Sequence, residues 1–329
     1  MKILQFIASS KYVGAERSFV ELCNELAKQE EIVALVVRGC EYKERFFPKV
    51  EVIELHSNPS RYNPFLYLEI AKIIKKLQPD IVHAHSAKAT QILYRLWRFM
   101  KFAFVATKRN TRKDKIFHKV PYPVTVSKQA AKIVDNPNTT VIYDGIIPHE
   151  VACNKEDIFT ILAIGALRPV KCFDDLIESV RDLDFPFKLW IVGEGEEREK
   201  LENLIQKYDL QGKVELLGYR EDTPCLQKRA HLQIINSERE GFARVLKEGL
   251  FYSDVVISTP VSGSVEILSK KLLFAHGEAA QKIQDIYNNY EEYKKEFAKI
   301  KEMYAKDFLL QKSAQKYLNL YKRVLSKKG

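Results

Sequence analysis

Glu240 and Glu248 bracket the run Glu240-Gly241-Phe242-Ala243-Arg244-Val245-Leu246-Lys247-Glu248, where a strand pattern gives way to a helix pattern. At about 3.6 residues per turn this spacing is a little over two turns, which puts both carboxylates near one face, one at the helix mouth and one inside. A carboxylate accepts two hydrogen bonds side by side, so it suits vicinal hydroxyls: those of a sugar at the mouth and of a ribose deeper in. Backbone N–H groups of Gly241, Phe242 and Ala243, at the helix start between them, would suit a phosphate. Two acids facing solvent on an ordinary helix have the same spacing, so the pair alone leaves both readings open.

A second concentration of chemistry is basic. Residues 1–150 hold 24 Lys+Arg against 15 Asp+Glu, a net of +9, and of the chain totals of 53 and 43 this leaves 29 against 28 for residues 151–329. Residues 86–132 alone hold 12 Lys+Arg and a single acid, Asp114. One segment therefore accounts for the excess, and it implies an anionic partner. Between Ala87 and Lys119 the cations interleave with Tyr94, Trp97, Phe99, Phe102, Phe104 and Phe117. Ile92, Leu93, Leu96, Trp97 and Met100 form an apolar stripe that Lys88, Arg95, Arg98 and Lys101 flank. That pattern fits a helix lying on an anionic membrane surface. It also fits a core-facing helix with a solvated basic rim, and, least well of the three, a nucleic-acid surface; no nucleic acid is expected as a partner.

The elements that must position these groups follow from the hydrophobic pattern. A chain of 329 residues, 46% hydrophobic and 29% charged, can bury two cores. Short β-branched runs alternate with amphipathic stretches: Ile3–Ala8, a helix over Ser18–Lys28, then Ile32–Val37, Ile81–His85, Phe104–Thr107, Pro123–Ser127 and Thr140–Tyr143. This is the rhythm of an α/β protein with a doubly wound parallel sheet. Periodicity lapses over residues 147–157 and restarts at Phe159–Gly165. Strands at Phe187–Val192, Val214–Leu217, Leu232–Ile235 and Val255–Ser258 then alternate with helices near 173–181, 196–207, 222–229 and 243–252. The reading is two Rossmann-like domains, 1–150 and 151–310, and a helical segment 311–329 in which Tyr317, Leu320, Tyr321 and Val324 fall at helical spacing.

Five cysteines, with no C-x-x-C pair, indicate neither a disulfide framework nor a zinc site and favour a reducing compartment. The opening apolar stretch is too short for a leader peptide and reads as a buried strand. No apolar run approaches the roughly 18 residues that span a bilayer, so membrane contact would be peripheral.

The segment around Glu240 and Glu248, preceded by Ser237 and followed by Val261-Ser262-Gly263-Ser264-Val265-Glu266-Ile267, resembles the E-x7-E signature of family-four glycosyltransferases, retaining enzymes of the GT-B fold. Ile191-Val192-Gly193-Glu194-Gly195 through Leu201 resembles their I-V-G-x-G strand and helix. In the first half Gly14-Ala15-Glu16-Arg17, Asp80 through Ser86, Val126-Ser127 and Val141 through Gly145 stand in the order of similar motifs, so the resemblance covers nearly the whole chain. It implies an active site in the cleft between the two domains, with the final helix returning to the first domain. Gly165-Ala166-Leu167-Arg168-Pro169-Val170-Lys171 matches the family's diphosphate-binding loop, with Lys171 on its lysine position; the usual arginine is Ala166 here, and Arg168 is the substitute. Cations there would stabilise the charge that develops on the leaving diphosphate.

By resemblance, then, the catalytic residues are Lys171, Arg168 and Glu240, the donor is bound by Gly14, Gly241, Phe242, Ala243, Glu248 and Glu266, and His85, Lys108 and Arg109 face the acceptor or the cleft. Thr107-Lys108-Arg109-Asn110 stands where many relatives carry a histidine, so acceptor contacts differ. The implied activity is retaining transfer from a nucleotide-diphosphate sugar, most commonly a UDP-sugar, to a glycan or lipid-linked acceptor. Lipopolysaccharide, capsule or lipid-linked oligosaccharide assembly at the cytosolic face of the membrane fits, with no metal and no cofactor. A nucleotide-sugar 2-epimerase of similar fold and a non-catalytic basic binding protein are the alternatives. Gly193-Glu194-Gly195 also resembles part of a dinucleotide fingerprint, but Arg198 stands at its third position and the acids would repel pyrophosphate.

Overall fold

A computed structural model describes residues 1–327; residues 328 and 329 of the expected C-terminal segment lie outside the described residues. Two compact units are present, one formed by Met1–Gly145 with Asp307–Gly329, the other by Ile146–Lys306.

The first unit is built on seven strands: β1 (Lys2–Ile7), β2 (Glu31–Val37), β3 (Val50–Leu55), β4 (Ile81–His85), β5 (Phe104–Lys108), β6 (Tyr122–Thr125) and β7 (Thr140–Val141). All pair in parallel in the order β3-β2-β1-β4-β5-β6-β7. Central strands of such a sheet are covered on both faces, which is why β2 reads as a continuous apolar run over Ile32–Val37. The connecting helices are α1 (Gly14–Leu26), α2 (Pro64–Leu77), α3 (Ser86–Met100) and α4 (Lys128–Lys132). Helix α1 starts at Gly14, a turn ahead of the expected Ser18, so Gly14 and Glu16 belong to its first turn. Strand β3 and helix α2 had no counterpart in the sequence reading. Helix α2 is nevertheless well signalled: the Asn63 side chain accepts from the Phe65 N–H, Pro64 takes the first turn, and Leu66, Ile70 and Ile74 are its buried stripe.

The second unit has five parallel strands, β8 (Phe159–Ile164), β9 (Phe187–Val192), β10 (Val214–Gly218), β11 (Leu232–Ile235) and β12 (Val255–Ser258), in the order β10-β9-β8-β11-β12. Its helices are α5 (Phe173–Val180), α6 (Arg198–Lys207), α7 (Thr223–Arg229), α8 (Arg244–Tyr252), α9 (Ser264–Ile267), α10 (Ala279–Asn288) and α11 (Tyr290–Tyr304). Cys153 and Cys225 form a disulfide with Cα atoms 5.7 Å apart, contrary to the reading that the cysteines form no bridge. Seventy-two positions separate them in sequence, so spacing could not reveal a pairing that only the fold brings about.

Helix α12 (Leu310–Ser326) returns to the first unit. Tyr317, Leu318, Leu320, Tyr321 and Val324 enter the core beneath β1, β2 and α1, at the expected helical spacing. Gly145 passes so close to the Leu310 backbone that any Cβ would collide with it. Among the described residues no helix is long and apolar enough to cross a membrane.

Candidate active site

Strand order in the second sheet reverses between β8 and β11, and ligands of open parallel sheets gather at the carboxyl ends of strands beside such a point. The loop after β8 carries Arg168 and Lys171, and the loop after β11 carries Ser237 and Glu240. Lys171 Nζ donates to Glu240 Oε1 in an ion pair, and Ser237 Oγ donates to the same oxygen at 3.2 Å. Both charged side chains are about one-fifth exposed, 20% and 18%, so the pair is reachable from solvent.

Backbone contacts fix the Lys171 loop from two sides. Gly165 N–H donates to the Val192 carbonyl at 2.9 Å, Leu167 N–H to the Glu194 carbonyl at 3.0 Å, and Glu197 N–H to the Leu167 carbonyl at 3.1 Å. Gly193, at φ +144°, lies where a Cβ would strike the Gly165 carbonyl oxygen, and a Cβ at Gly195 would strike that of Leu167. The Gly193-Glu194-Gly195 sequence therefore serves close approach of two loops, and has no need of a dinucleotide to explain it. From the other side Glu238 N–H donates to the Val170 carbonyl at 3.0 Å, and Asn236 Nδ2 donates to the Cys172 carbonyl at 2.9 Å.

Glu248 reaches the region differently. Helix α8 begins only at Arg244, so Glu240 is held by a loop and Glu248 by the second helical turn; the expectation that one helix presents both carboxylates is corrected. The Glu248 side chain is 6% exposed and its Oε1 accepts from Arg244 Nε at 2.8 Å. Gly241, Phe242 and Ala243 form the approach to the helix, with the Phe242 ring filling the space over Gly263 where a Cβ would touch it. Lys247, which no sequence signal singled out, is buried with Nζ 5.4 Å from the centre of the Phe242 ring. Glu266 is half-buried in α9, after β12. Arg168 is exposed and makes no ion pair among the described residues, so it stands outside the Lys171–Glu240 pair.

The remaining candidates belong to the first unit. Gly14 opens α1 with open space around it. Lys108 is buried and donates to Asn110 Oδ1 at 3.1 Å, the Arg112 carbonyl at 2.5 Å and Asp114 Oδ2 at 3.2 Å, so its ammonium holds its own loop. His85 and Arg109 are part of a buried polar chain whose direction can be derived. Arg109 only donates, so His85 Nδ1, 3.0 Å from its Nη2, must accept and the ring proton sits on Nε2. Nε2 then donates to Gln5 Oε1 at 2.7 Å, and Gln5 Nε2 donates to the Tyr321 hydroxyl at 3.2 Å. Tyr321 donates onward to His83 Nδ1 at 2.7 Å, His83 Nε2 to Thr107 Oγ1 at 2.7 Å, and Thr107 to the Tyr317 hydroxyl at 3.1 Å. Burial and then the Arg109 charge hold His83 well below the usual histidine range; burial, His83 and Arg109 do the same for His85. Arg109 Nη1 also donates to Asp144 Oδ2 at 2.5 Å. Two atoms beside this chain, Arg109 Nε and Glu16 Oε2, are buried without a hydrogen-bond partner. Neither Glu16 nor Gln5 was singled out from the sequence.

The basic aromatic segment of residues 87–119 is corrected in one respect. Ile92, Leu93 and Leu96 of α3 are core residues packed under α2 and β5, and Phe102, Phe104 and Phe117 are buried with them. The apolar stripe therefore faces the protein interior. Phe99, at 86% exposure, is the aromatic of that segment left on the surface.

Comparison with known proteins places both halves. The family described as glycosyl transferases group 1 matches residues 149–303, and the family described as Glycosyltransferase Family 4 matches residues 12–148. An uncharacterised glycosyltransferase of Methanocaldococcus jannaschii is 33% identical over 175 residues, a stretch of 52% of this chain and 45% of that protein, so the match spans less than half the length of that relative. An alpha-1,4-N-acetyl-D-galactosaminyltransferase of Campylobacter jejuni, named for a GalNAc-containing glycan on diNAcBac-PP-undecaprenol, is 25% identical over 98% of this chain and 99% of its own. Among solved structures the Anabaena protein HepE in complex with UDP and glucose superposes with a TM-score of 0.83 at 16% identity, over 98% of this chain and 100% of that one; the likeness shows a shared GT-B fold.

Proposed function

We propose, for a chain whose two halves match the models of glycosyl transferases group 1 and Glycosyltransferase Family 4, a retaining transfer of a sugar from a UDP-sugar to a hydroxyl of a glycan or lipid-linked acceptor. The observation that carries this reading is the meeting of Lys171 and Glu240, from the loops after β8 and β11, at the reversal point of the second sheet. Glu240 holds hydroxyls of the donor sugar, Glu248 the ribose, and Lys171 the diphosphate, with Arg168 as a second, exposed cation and the N–H groups of Gly241–Ala243 beside them. Glu266 is a further donor contact in this reading. As the anomeric C–O bond breaks, Lys171 stabilises charge that grows on the diphosphate, the contribution that single electrostatic groups make most effectively. The acceptor oxygen bonds to the anomeric carbon on the face the diphosphate leaves, and its proton passes to a leaving phosphate oxygen.

The acceptor is met at the cytosolic face of the membrane. Support comes from Tyr62, Phe65, Leu68 and Phe99, exposed at 77%, 71%, 59% and 86%, with Arg95 5.9 Å from the Tyr62 ring. Exposed apolar side chains, with Arg61 and Arg95 over the Tyr62 ring, suit an anionic interface.

The test is transfer from a panel of UDP-sugars to glycan acceptors, with the anomeric configuration of the product read by proton NMR. Retained configuration is expected. An inverted product overturns the retaining mechanism, and a free epimer formed without acceptor overturns transfer itself.

A further inference from the structure

The first unit contains a cleft of about 490 Å³ that none of the residues assigned above occupies. Ala8, Ser9 and Ser10 after β1, Val37 and Arg38 at the end of β2, His56 through Pro59 after β3, and Lys88 in the first turn of α3 line it. These are carboxyl ends of parallel strands, and β1 and β4 are the two strands between which the order of the first sheet reverses. The volume falls within the range of roughly 300–1,000 Å³ typical of small-molecule sites.

Its charge is one-sided. Arg38 and Lys88 point no acid at each other: neither forms an ion pair among the described residues, and no carboxylate lines the cleft. Of the neighbouring carboxylates, Glu54 feels the Arg38 charge but is hydrogen-bonded by Lys43 and the Gly39 N–H, and Glu69 accepts from the N–H groups of His56 and Ser57, which fixes the loop that forms one wall. Burial, and after it the nearby Arg61 charge, push the Lys88 ammonium below its ordinary value. Ser9 and Ser10 add hydroxyls that no hydrogen bond within the described residues engages. Helix α3 is fifteen residues long, has no side-chain cap and no acid in its first turn, so its starting N–H groups add to the same positive field.

We propose that this cleft binds a phosphate or diphosphate group of the acceptor, with Arg38 and Lys88 as its cations and the Ser9 and Ser10 hydroxyls as neutral donors. The inference deepens the transfer reading and rests on it for the word acceptor. It specifies a phosphoryl-bearing acceptor, which arises either from a lipid-linked diphosphate or from a soluble sugar phosphate.

Inorganic pyrophosphate is titrated into the full chain by calorimetry, alone and under saturating UDP. Binding that persists under UDP and weakens at least about tenfold in Arg38→Glu/Lys88→Glu is expected, because charge-assisted contacts to both cations are lost. Pyrophosphate binding that UDP abolishes, or that the double variant leaves unchanged, overturns the proposal. Should the charge reversal prevent folding, Arg38→Gln/Lys88→Gln carries the same comparison. Failure of UDP to bind would count against the transfer reading alone, because the pyrophosphate isotherm and its dependence on Arg38 and Lys88 are read without it. A hexose 1-phosphate against the free hexose, and a short polyprenyl diphosphate against the polyprenol in the same detergent, then name the source. Preference for either phosphorylated partner that is lost in the variant supports the site, and equal binding of all four overturns it.

Discussion

Lys171 and Glu240 form a hydrogen-bonded ion pair across 69 positions of sequence. Each side chain is the other's partner, so removing one leaves a partly desolvated charge behind. In the proposed reaction Lys171→Ala and Glu240→Gln each lower turnover by roughly 10²–10³-fold, the usual cost of a single electrostatic stabiliser. The double variant falls by much less than the product of the two, because the groups act as a unit. Steady-state rates on one UDP-sugar and one acceptor check this, and a Lys171→Ala enzyme within about tenfold of wild type contradicts the assignment.

Glu248 lends itself to a test that needs no acceptor. Its carboxylate is buried against Arg244 in α8, and the proposed ribose contact makes nucleotide binding depend on it. Uridine diphosphate at about 100 times its dissociation constant stabilises the wild type by about 2.7 kcal/mol, visible as a rise in Tm. Glu248→Ala loses that rise. A variant that keeps it takes the ribose away from Glu248.

The two buried histidines give stability a pH dependence with a fixed sign. His83 and His85 are held well below the ordinary value of 6.5, so they stay neutral in the folded chain at pH values where the unfolded chain takes up a proton at each. Below about pH 6.5 the unfolded state therefore binds more protons, and stability, full above that value, falls as the pH drops. The slope reaches about 1.4 kcal/mol per pH unit for each histidine. Urea midpoints measured from about pH 7.5 to 5.5 decline in the wild type and decline less in His83→Gln, and a flat profile in the wild type contradicts the neutral pair.

Reduction separates the second unit's disulfide from its packing. Joining Cys153 to Cys225 closes a loop of 72 positions, worth roughly 4 kcal/mol in chain entropy of the unfolded state. Dithiothreitol, or Cys153→Ser, lowers the urea midpoint accordingly. A midpoint unmoved by reductant shows that the thiols are not joined in solution.

Much of this fold is legible in the sequence because parallel strands buried on both faces leave apolar runs, unbroken over Ile32–Val37 of β2 and interrupted only by Gln5 and Thr160 within β1 and β8. Strand β3 escapes that rule: it is the edge of the sheet, and Glu51 and Glu54 interrupt its apolar pattern. Helix α2 was readable from Asn63-Pro64 and from Leu66, Ile70 and Ile74, a cap and a stripe that a search for strand–helix alternation passes over. At the site, Lys171, Glu240 and Glu248 come from a recognised motif, yet their geometry does not, because the spacing could not show that Glu240 leaves the helix. The stripe on α3 left two readings open for a general reason: a basic rim around apolar residues looks alike whether the apolar side meets lipid or core. Gln5 lies in no motif, and Glu16 and Lys247 lie inside matched motifs that assign them no role, since a buried polar group is known only by what surrounds it.

The return of α12 has a consequence for biosynthesis. Its Tyr317, Leu320, Tyr321 and Val324 complete the core beneath β1 and α1, and Tyr317 and Tyr321 complete the hydrogen-bonded chain through His83 and His85. A chain emerging from the ribosome has every strand of the first unit long before it has these residues, while Ile146–Lys306 is already continuous and can pack at once. The unit that begins first therefore finishes last. A message cut short before the codon for Tyr317 yields a protein whose second unit is intact and whose first unit is unfinished at its centre.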